Sequence, residues 1–146
     1  MQTYQLAQFN IGRLKYPRHS TELADYEATL DSVLPIAVDW PGFIWIHDDD
    51  IIELTEQHFG HQVAANISVW ADIESLQSFM QCTPHDNAMQ RRAEWFDEMD
   101  RASFALWWVV EGHRPSFAEA CERLSLLESE GPGPDAFDLE HRFDPP

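Results

Sequence analysis

The chain has 146 residues, of which 44% are hydrophobic, and its 26 acidic side chains outnumber nine basic ones for a formal net charge of −17. This length suits one domain, residues 1–146, that buries a core without disulfides or a structural metal. The negative charge argues against binding to nucleic acid or to an anionic membrane surface. Cys82 and Cys121 lack metal or disulfide spacing, and no segment resembles a signal peptide or a membrane span. We expect a cytoplasmic protein with reduced thiols.

The first predicted elements are a strand and a helix. Residues Thr3 to Gly12 alternate in the manner of a strand, and Asn10 shares a face with Gln8. If that face points inward, Asn10 is a candidate pocket residue, and if it points outward, Asn10 is only solvated. A helix should then run from Ser20 or Thr21 to about Ala37, with Pro35 disturbing its last turn.

A second strand is predicted from Phe43 to His47, with Trp45 and His47 on the same face as Phe43. The segment from His47 to Gln62 is polar, and we expect it to be the connection between two antiparallel strands. Its acidic and histidine side chains could suggest a metal, but polar connections of this kind are more often only solvated. We predict no metal site there.

The third strand, Val63 to Trp70, has two different faces. One face is apolar, and the other mixes small, polar and aromatic side chains that include Asn66, Ser68 and Trp70. Such a mixture is typical of a cavity wall, although Asn66 and Ser68 could instead satisfy nearby backbone groups. Asp72 should cap the next helix, which runs through Cys82.

The most informative helix follows this one. Thr83 is a suitable N-cap and Pro84 suits the first turn. Counting in steps of three and four from His85 predicts one continuous apolar face to Met99 that includes Trp95 and is interrupted only by His85 and Arg92. His85 could be a hydrogen-bonded core residue and Arg92 half of a structural ion pair. Together with nearby tryptophans they also resemble the few polar groups of an apolar pocket.

The last predicted elements are a strand, a helix and a tail. Residues Phe104 to Val110 form a continuously apolar strand that includes Trp108 and needs both faces covered. Ser116 should cap a helix, with Glu119 at the capping-box position. The tail, residues 130–146, is rich in Gly and Pro yet apolar enough to dock on the domain or on a partner subunit.

The order of elements predicts an α+β fold of the ferredoxin-like type. A βαββαβ order corresponds to a four-stranded antiparallel sheet with helices on one face. Because the strands are apolar on both faces, we expect the second face to meet another copy of the chain. The prediction is therefore a homodimer through the sheet faces.

Several long motifs also resemble a known bacterial family of unassigned function, which is placed with the antibiotic-biosynthesis-monooxygenase-like dimeric α+β barrels. The motifs are LAQFNIGRLK, PGFIW, NISVWADIESLQSF, HDNAMQRRAEWFDEM and FALWWVVEGHRPSFAEACERLSLLESEGPGPDAF. The resemblance covers nearly the entire chain and implies a pocket for a small ligand between the sheet and its helices. It does not select a reaction, because relatives in that superfamily include cofactor-free monooxygenases, polyketide cyclases and haem-using enzymes.

The most concrete hypothesis is cofactor-free oxygenation or cyclisation of an aromatic or polyketide-like substrate. His85 would be the base, since imidazole titrates near neutrality. Arg92 and Asn66, with Asn10, would hold the resulting anion. The flat substrate would lie between aromatic side chains, for which the candidates are Trp45, Trp70, Trp95 and Trp108.

Two other functions use the same residues. In a haem protein His85 would be the axial ligand and Arg92 could pair with a propionate. His113 is a second possible ligand, but its Gly-His-Arg-Pro context indicates a structural corner, where its imidazole would bond backbone carbonyls. In a non-catalytic binding module, His85 and Arg92 would be held in structural hydrogen bonds, and tryptophans would fill the pocket.

Overall fold

The computed structural model describes residues 2–146, with the side chain of Thr83 also outside the description. The strands are β1 (Tyr4–Leu14), β2 (Phe43–Ile46), β3 (Val63–Trp70), β4 (Phe96–Asp97) and β5 (Phe104–Val110). The helices are α1 (Ala24–Val38), α2 (Ile51–Phe59), α3 (Ile73–Met80), α4 (Thr83–Gln90), α5 (Arg92–Trp95) and α6 (Phe117–Glu130), and a 3-10 turn (Thr21–Leu23) precedes α1. None of the helices in the described part of the chain is both long and apolar enough to cross a membrane.

The strands form one antiparallel sheet with β1 at its centre. β3 pairs with one edge of β1, and β2 lies outside β3. β5 pairs with the other edge of β1 from Tyr4 to Asn10, and the short β4 pairs beyond it at Arg13 and Leu14. This arrangement is the predicted ferredoxin-like α+β sheet, and β3 and β5 begin and end where the sequence predicted.

One face of the sheet packs against α1, α3 and the C-terminal tail. Leu6, Trp70 and Leu106 point to this side and are at most 2% exposed. They contact apolar side chains of the two helices, among them Ala37 and Phe79. The split βαβ units therefore place these helices where the sequence predicted them.

The other face is covered by α6 and α2 of the same chain. Ala7, Phe9 and Trp107 point to this side and are completely buried, and they pack with Leu124 of α6 and with Phe59 of α2. Since the chain covers both faces itself, the burial argument for a homodimer through the sheet faces does not hold. The extra C-terminal helix takes the place that a second copy was expected to fill.

The polar connection after β2 contains the nine-residue helix α2, which the sequence analysis had interpreted as a loop. Asp50 precedes it in the left-handed conformation, and Gly60 ends it with a φ of 99°. Ile51 and Phe59 pack against the core, while Thr55 is buried. The apolar spacing of this segment was hidden by its many charged neighbours.

The single helix predicted from Thr83 to Met99 is also a correction. Helix α4 ends at Gln90, α5 is a single turn, and the chain becomes extended at Phe96. Phe96 and Asp97 pair with the end of β1. The chain leaves the helical conformation because it adds a short strand to the sheet edge there. Cys82 occupies the N-cap position of α4. The sequence predicted Thr83 as the N-cap, and the side chain of Thr83 lies outside the described part of the structure.

The tail docks on the outer edge of β5. Phe137 forms a two-way backbone bridge with Leu106, with both N–O distances 2.8 Å, and its side chain is completely buried. The indole of Trp108 donates to the carbonyl oxygen of Phe143 at 2.8 Å. The tail therefore covers an otherwise unpaired sheet edge.

Candidate functional site

A cavity of about 300 Å³ lies between the sheet and helices α1, α4 and α5. Its wall includes five of the residues singled out from the sequence, which come from four different elements. These residues are Asn10, Asn66, His85, Arg92 and Trp95. The break between α4 and α5 does not separate His85 from Arg92, because both helical turns lie along the same side of the cavity.

The floor of the cavity is a closed ring of three side-chain amides. Gln8 Nε2 donates to Asn66 Oδ1, Asn66 Nδ2 donates to Asn10 Oδ1 at 2.9 Å, and Asn10 Nδ2 donates to Gln8 Oε1 at 3.3 Å. The ring forms because Asn10 lies directly opposite Asn66 in the pairing of β1 with β3. Gln8 uses its second N–H for Ser68 Oγ at 2.8 Å. These bonds fix the orientation of each amide.

The ring leaves hydrogen-bond donors for a ligand. An amide nitrogen carries two hydrogens, and among the described residues Asn10 and Asn66 each use only one of them. Both residues line the cavity, whereas Gln8 is 3% exposed and lies behind them. Of the two alternatives for Asn10, the structure therefore places its side chain inward. The role of Gln8 was missed, although its alternation with Asn10 was visible in the sequence.

His85 is held by a backbone hydrogen bond. Its Nδ1 lies 3.0 Å from the carbonyl oxygen of Met80, and its ring packs against Phe79 at 4.9 Å between centroids. Because a carbonyl oxygen can only accept, Nδ1 carries the hydrogen and Nε2 has the lone pair. In the part of the chain that the structure describes, which leaves out Met1 and the Thr83 side chain, Nε2 has no hydrogen-bond partner.

The protonation of His85 follows from its surroundings. Burial lowers the pKa of His85 below its ordinary value, while the Met80 carbonyl and the charge of Asp86 act in the opposite direction. The imidazole is therefore neutral at pH 7. A neutral imidazole with a free Nε2 can accept a proton from a ligand.

Arg92 is more exposed than the sequence predicted. Its guanidinium lies 4.9 Å from the centre of the Phe96 ring, and it forms no salt bridge with any described residue. The neighbouring Arg91 forms the ion pairs instead, with Asp25 at 3.0 Å and Glu94 at 2.9 Å. The structural ion pair that was one alternative for Arg92 is therefore formed by Arg91 instead.

Two ionisable residues of the cavity wall were not predicted. Arg18 and Tyr26 both line the cavity, and Tyr26 packs its ring against Trp95 and Phe96 at centroid distances of 5.4 and 5.3 Å. Burial raises the pKa of Tyr26, and the charges of Arg18 and Arg92 oppose that rise. The Tyr26 hydroxyl therefore stays protonated at neutral pH and can donate a hydrogen bond.

A family model described as "Domain of unknown function (DUF3291)" matches residues 5–146. The chain belongs to the DUF3291 family. The match covers the sheet, the cavity wall and the docked tail, and it agrees with the family resemblance of the sequence motifs. No curated protein matches this DUF3291 chain in sequence.

Solved structures resemble the DUF3291 domain in fold. A conserved protein from Methanosarcina mazei Go1 aligns with a TM-score of 0.53 and 10% identity over 73% of this chain and 92% of that one. A protein of unknown function from Nitrosomonas europaea, NE2512, aligns with a TM-score of 0.50 and 16% identity over 80% and 97%. SnoaB, a cofactor-independent oxygenase from Streptomyces nogalater, reaches a TM-score of 0.45 and 12% identity over 79% and 98%, which is too weak to bear on the reaction.

Three of the predicted tryptophans do not line the cavity of the DUF3291 domain. Trp70 is 2% exposed and stacks on Phe79 at 5.4 Å, while Trp108 packs beneath the tail. Trp45 packs on the opposite face of the sheet because β2 has an irregular register between Phe43 and Trp45. Of the four predicted tryptophans, Trp95 lines the cavity. The position of Trp45 could not be predicted, because the twofold alternation of a strand does not reveal a bulge.

His113 is distant from the cavity and belongs to a clamp at the start of α6. Its Nε2 lies 2.6 Å from Glu119 Oε1, and the other carboxylate oxygen accepts from the Trp107 indole at 2.9 Å. The partner of His113 is thus a side chain, whereas the Gly-His-Arg-Pro turn predicted backbone carbonyls. A structural corner is nevertheless what the contacts indicate. Within residues 2–146 no group of three or more metal-binding side chains is placed to hold a metal ion.

Proposed function

We propose that the DUF3291 domain is a small-molecule enzyme that removes a proton from a phenolic or enolisable substrate without a cofactor. The observation that carries this proposal is the geometry of His85, which lies in the wall of the cavity. Its Nδ1 donates to Met80, and none of the described groups pairs with its basic Nε2. A base must reach the proton that it removes, and a neutral imidazole has a suitable pKa at pH 7.

The anion that forms needs hydrogen-bond donors on the other side of the cavity. The electron pair of the broken O–H or C–H bond stays on the substrate as a phenolate or enolate, and the proton moves to His85 Nε2. The Arg92 guanidinium and the remaining N–H groups of Asn10 and Asn66 are the available donors. Because the amide ring is already ordered, the two amide donors need no reorganisation when the charge develops.

Two reactions can follow proton removal. In an oxygenation with O₂ as the oxidant, a CH₂ group of the substrate becomes C=O and the remaining oxygen atom leaves as water. In a cyclisation, the carbanion adds to a carbonyl carbon of the same molecule, and loss of water completes the ring. The wall presents Trp95, Tyr26 and Phe96 to an aromatic or polyketide-like body.

The volume of the cavity bears on the haem alternative. Small-ligand pockets span roughly 300 to 1,000 Å³, so a cavity of about 300 Å³ suits a compact ligand better than a tetrapyrrole. His85 Nε2 could ligate an iron and Arg18 or Arg92 could meet a propionate, but the space favours the cofactor-free reaction. A binding module whose pocket is filled by its own tryptophans is disfavoured, since the cavity is present and three of the tryptophans pack elsewhere.

The test is a screen of planar phenols and polyketide-like compounds with the purified protein. Oxygen uptake and product mass would be followed for wild type and His85→Gln, with His113→Gln as the matched control outside the cavity. We expect turnover in wild type and His113→Gln, and a loss on the order of 10²-fold or more in His85→Gln. Equal turnover in all three proteins would eliminate His85 as the base.

Absorption spectra test the haem alternative against the cofactor-free proposal. Protein purified from cells, and protein mixed with hemin, would be compared by ultraviolet and visible absorption for wild type and His85→Ala. We expect no absorption above about 350 nm in protein purified from cells, and only the spectrum of free hemin in the mixture, because the cavity favours compact ligands. A Soret band in wild type that is lost or shifted in His85→Ala would overturn the cofactor-free proposal.

A further inference from the structure

The cavity is positively charged within a strongly acidic protein. Its ionisable lining consists of Arg18, Arg92, His85 and Tyr26, and no Asp or Glu among the described residues lines it. The chain as a whole has 26 acidic side chains and nine Lys or Arg. A wall that holds two arginines and excludes carboxylates favours a negatively charged ligand.

The two arginines differ in how far their charge is already paired. Arg18 Nε lies 3.2 Å from Glu56 Oε1, and one of its terminal nitrogens donates to the carbonyl oxygen of Val63 at 2.8 Å. Arg92 stacks on the Phe96 ring and forms no salt bridge with any described residue. Arg92 is therefore the cation that remains available to a ligand.

The carboxylates near Arg92 are engaged by its neighbour. Arg91 contacts Asp25 of α1 and both carboxylate oxygens of Glu94, with distances of 2.9 to 3.0 Å. Asp25, Glu94 and Arg91 thus form an exposed cluster outside the cavity lining. Among the described residues, no carboxylate therefore forms a salt bridge with Arg92.

We infer that the ligand of this cavity is a planar organic carboxylate, held by the Arg92 guanidinium at its anionic end and by the apolar wall along its ring. The inference rests on the proposed function in that it assigns the substrate class of the same cavity. With Arg92 engaged by the carboxylate, the remaining N–H groups of Asn10 and Asn66 are the donors for the anion that forms. A guanidinium presents two parallel N–H groups that match the two oxygens of a carboxylate. The Tyr26 hydroxyl is a further donor in the same wall.

A monoanion with one or two rings suits the site better than a phosphate ester. Of the two arginines in the described cavity wall, Arg92 alone forms no salt bridge, and the net charge of −17 repels ligands of higher negative charge. The apolar part of the wall is formed by Leu30, Val33, Met89, Trp95 and Phe96. These side chains can cover a flat ring, and the cavity volume of about 300 Å³ limits its size.

The experiment compares 2-naphthoate with its neutral analogue 2-naphthamide by isothermal titration calorimetry at low ionic strength. We expect wild type to bind the acid at least about tenfold more tightly than the amide, because a charge-assisted bidentate contact is worth that much or more. Arg92→Gln should remove this preference while binding the amide as wild type does. Arg91→Gln, which alters the adjacent surface arginine, should keep the preference.

Added salt and a second variant make the outcomes distinct. Salt should weaken binding of the acid but not of the amide, and this holds for wild type even if a variant folds poorly. Equal binding of acid and amide by wild type, or no binding of the acid, would overturn the inference. An acid preference that persists in His85→Gln supports the inference independently of turnover, so a failed turnover assay would count against the proposed reaction alone.

Discussion

At the scale of single residues, His85 illustrates how a hydrogen bond determines chemistry. The Met80 carbonyl selects the tautomer, and burial lowers the pKa of the imidazole. The neutral form is therefore favoured by the fold. In an unfolded chain the same imidazole would have a pKa of about 6.5.

The pKa of His85 leads to a prediction on pH. The pKa of His85 is lower in the folded than in the unfolded protein, so acidification favours the unfolded state. The contribution of neutral His85 to the free energy of unfolding is fully present above about pH 6.5 and is lost as the pH falls through the folded pKa. We expect wild type to lose stability relative to His85→Gln on acidification, and turnover to fall in the same range. Urea unfolding and pH–rate profiles of both proteins measure this. If the difference in free energy of unfolding between wild type and His85→Gln stays constant from about pH 7.5 to about pH 5, the prediction is contradicted.

Gln8 is the residue on which the amide ring depends. Gln8→Leu would leave Asn66 Oδ1 without its donor and Asn10 Nδ2 without its acceptor. We expect a loss of about 1–3 kcal/mol in the free energy of unfolding, because buried polar groups would be left unpaired. Gln90→Leu is the control, since Gln90 is exposed and bonds only Asp86, and its effect should be within about 0.5 kcal/mol. Equal stability of Gln8→Leu and wild type would show that the ring has no structural role.

At the scale of elements, the caps of α3 and α6 were visible in the sequence, whereas Ser20, predicted to cap the first helix, makes no side-chain capping bond. Asp72 accepts from the backbone N–H of Ser75 at 2.8 Å, and Ser116 accepts from that of Glu119 at 3.1 Å, both as predicted. These caps are local, so three or four residues suffice to predict them. The end of α4 depends on β4 pairing with β1, which no local pattern describes.

The cap of α3 can be tested directly. Asp72→Ala removes the acceptor for the first turn, and we expect a destabilisation of about 1 kcal/mol. Glu74→Ala in the same turn keeps the cap and should have a smaller effect. Thermal unfolding of both variants gives the comparison. If Glu74→Ala were as destabilising as Asp72→Ala, general charge at the helix start rather than the cap would be responsible.

At the scale of the whole molecule, the tail is part of the fold. Phe137 is completely buried between the sheet and Phe143, with centroids 5.9 Å apart, and its backbone bridges Leu106. We expect Phe137→Ala to lower the free energy of unfolding by about 3–5 kcal/mol, as for other buried aromatic side chains. Asp144→Ala, in the same tail but exposed, is the control. Denaturant titration distinguishes them, and a loss below about 1 kcal/mol in Phe137→Ala would mean that the tail contributes little.

The homodimer remains a prediction from the sequence. Its original reason was an uncovered sheet face, and α2 and α6 cover that face within one chain. Sedimentation equilibrium measures the mass directly. A dimer would have to use another surface than the sheet faces.

Several features of this protein were determined by the sequence itself. Strand alternation, helix caps and apolar composition act over a few residues, so β3, β5 and the ferredoxin-like order could be predicted. The polar residues that interrupt apolar faces could also be proposed as cavity residues, namely Asn10, Asn66, His85 and Arg92. Even the docking of the tail followed from its apolar residues.

Other features were decided only by the tertiary structure. Cross-strand register closed the ring of Gln8, Asn10 and Asn66, and a bulge in β2 turned Trp45 to the other face. The fold assigned the surface ion pairs to Arg91 and left Arg92 facing the cavity. These outcomes depend on contacts between residues far apart in the chain, and such contacts have no periodic signal in the sequence.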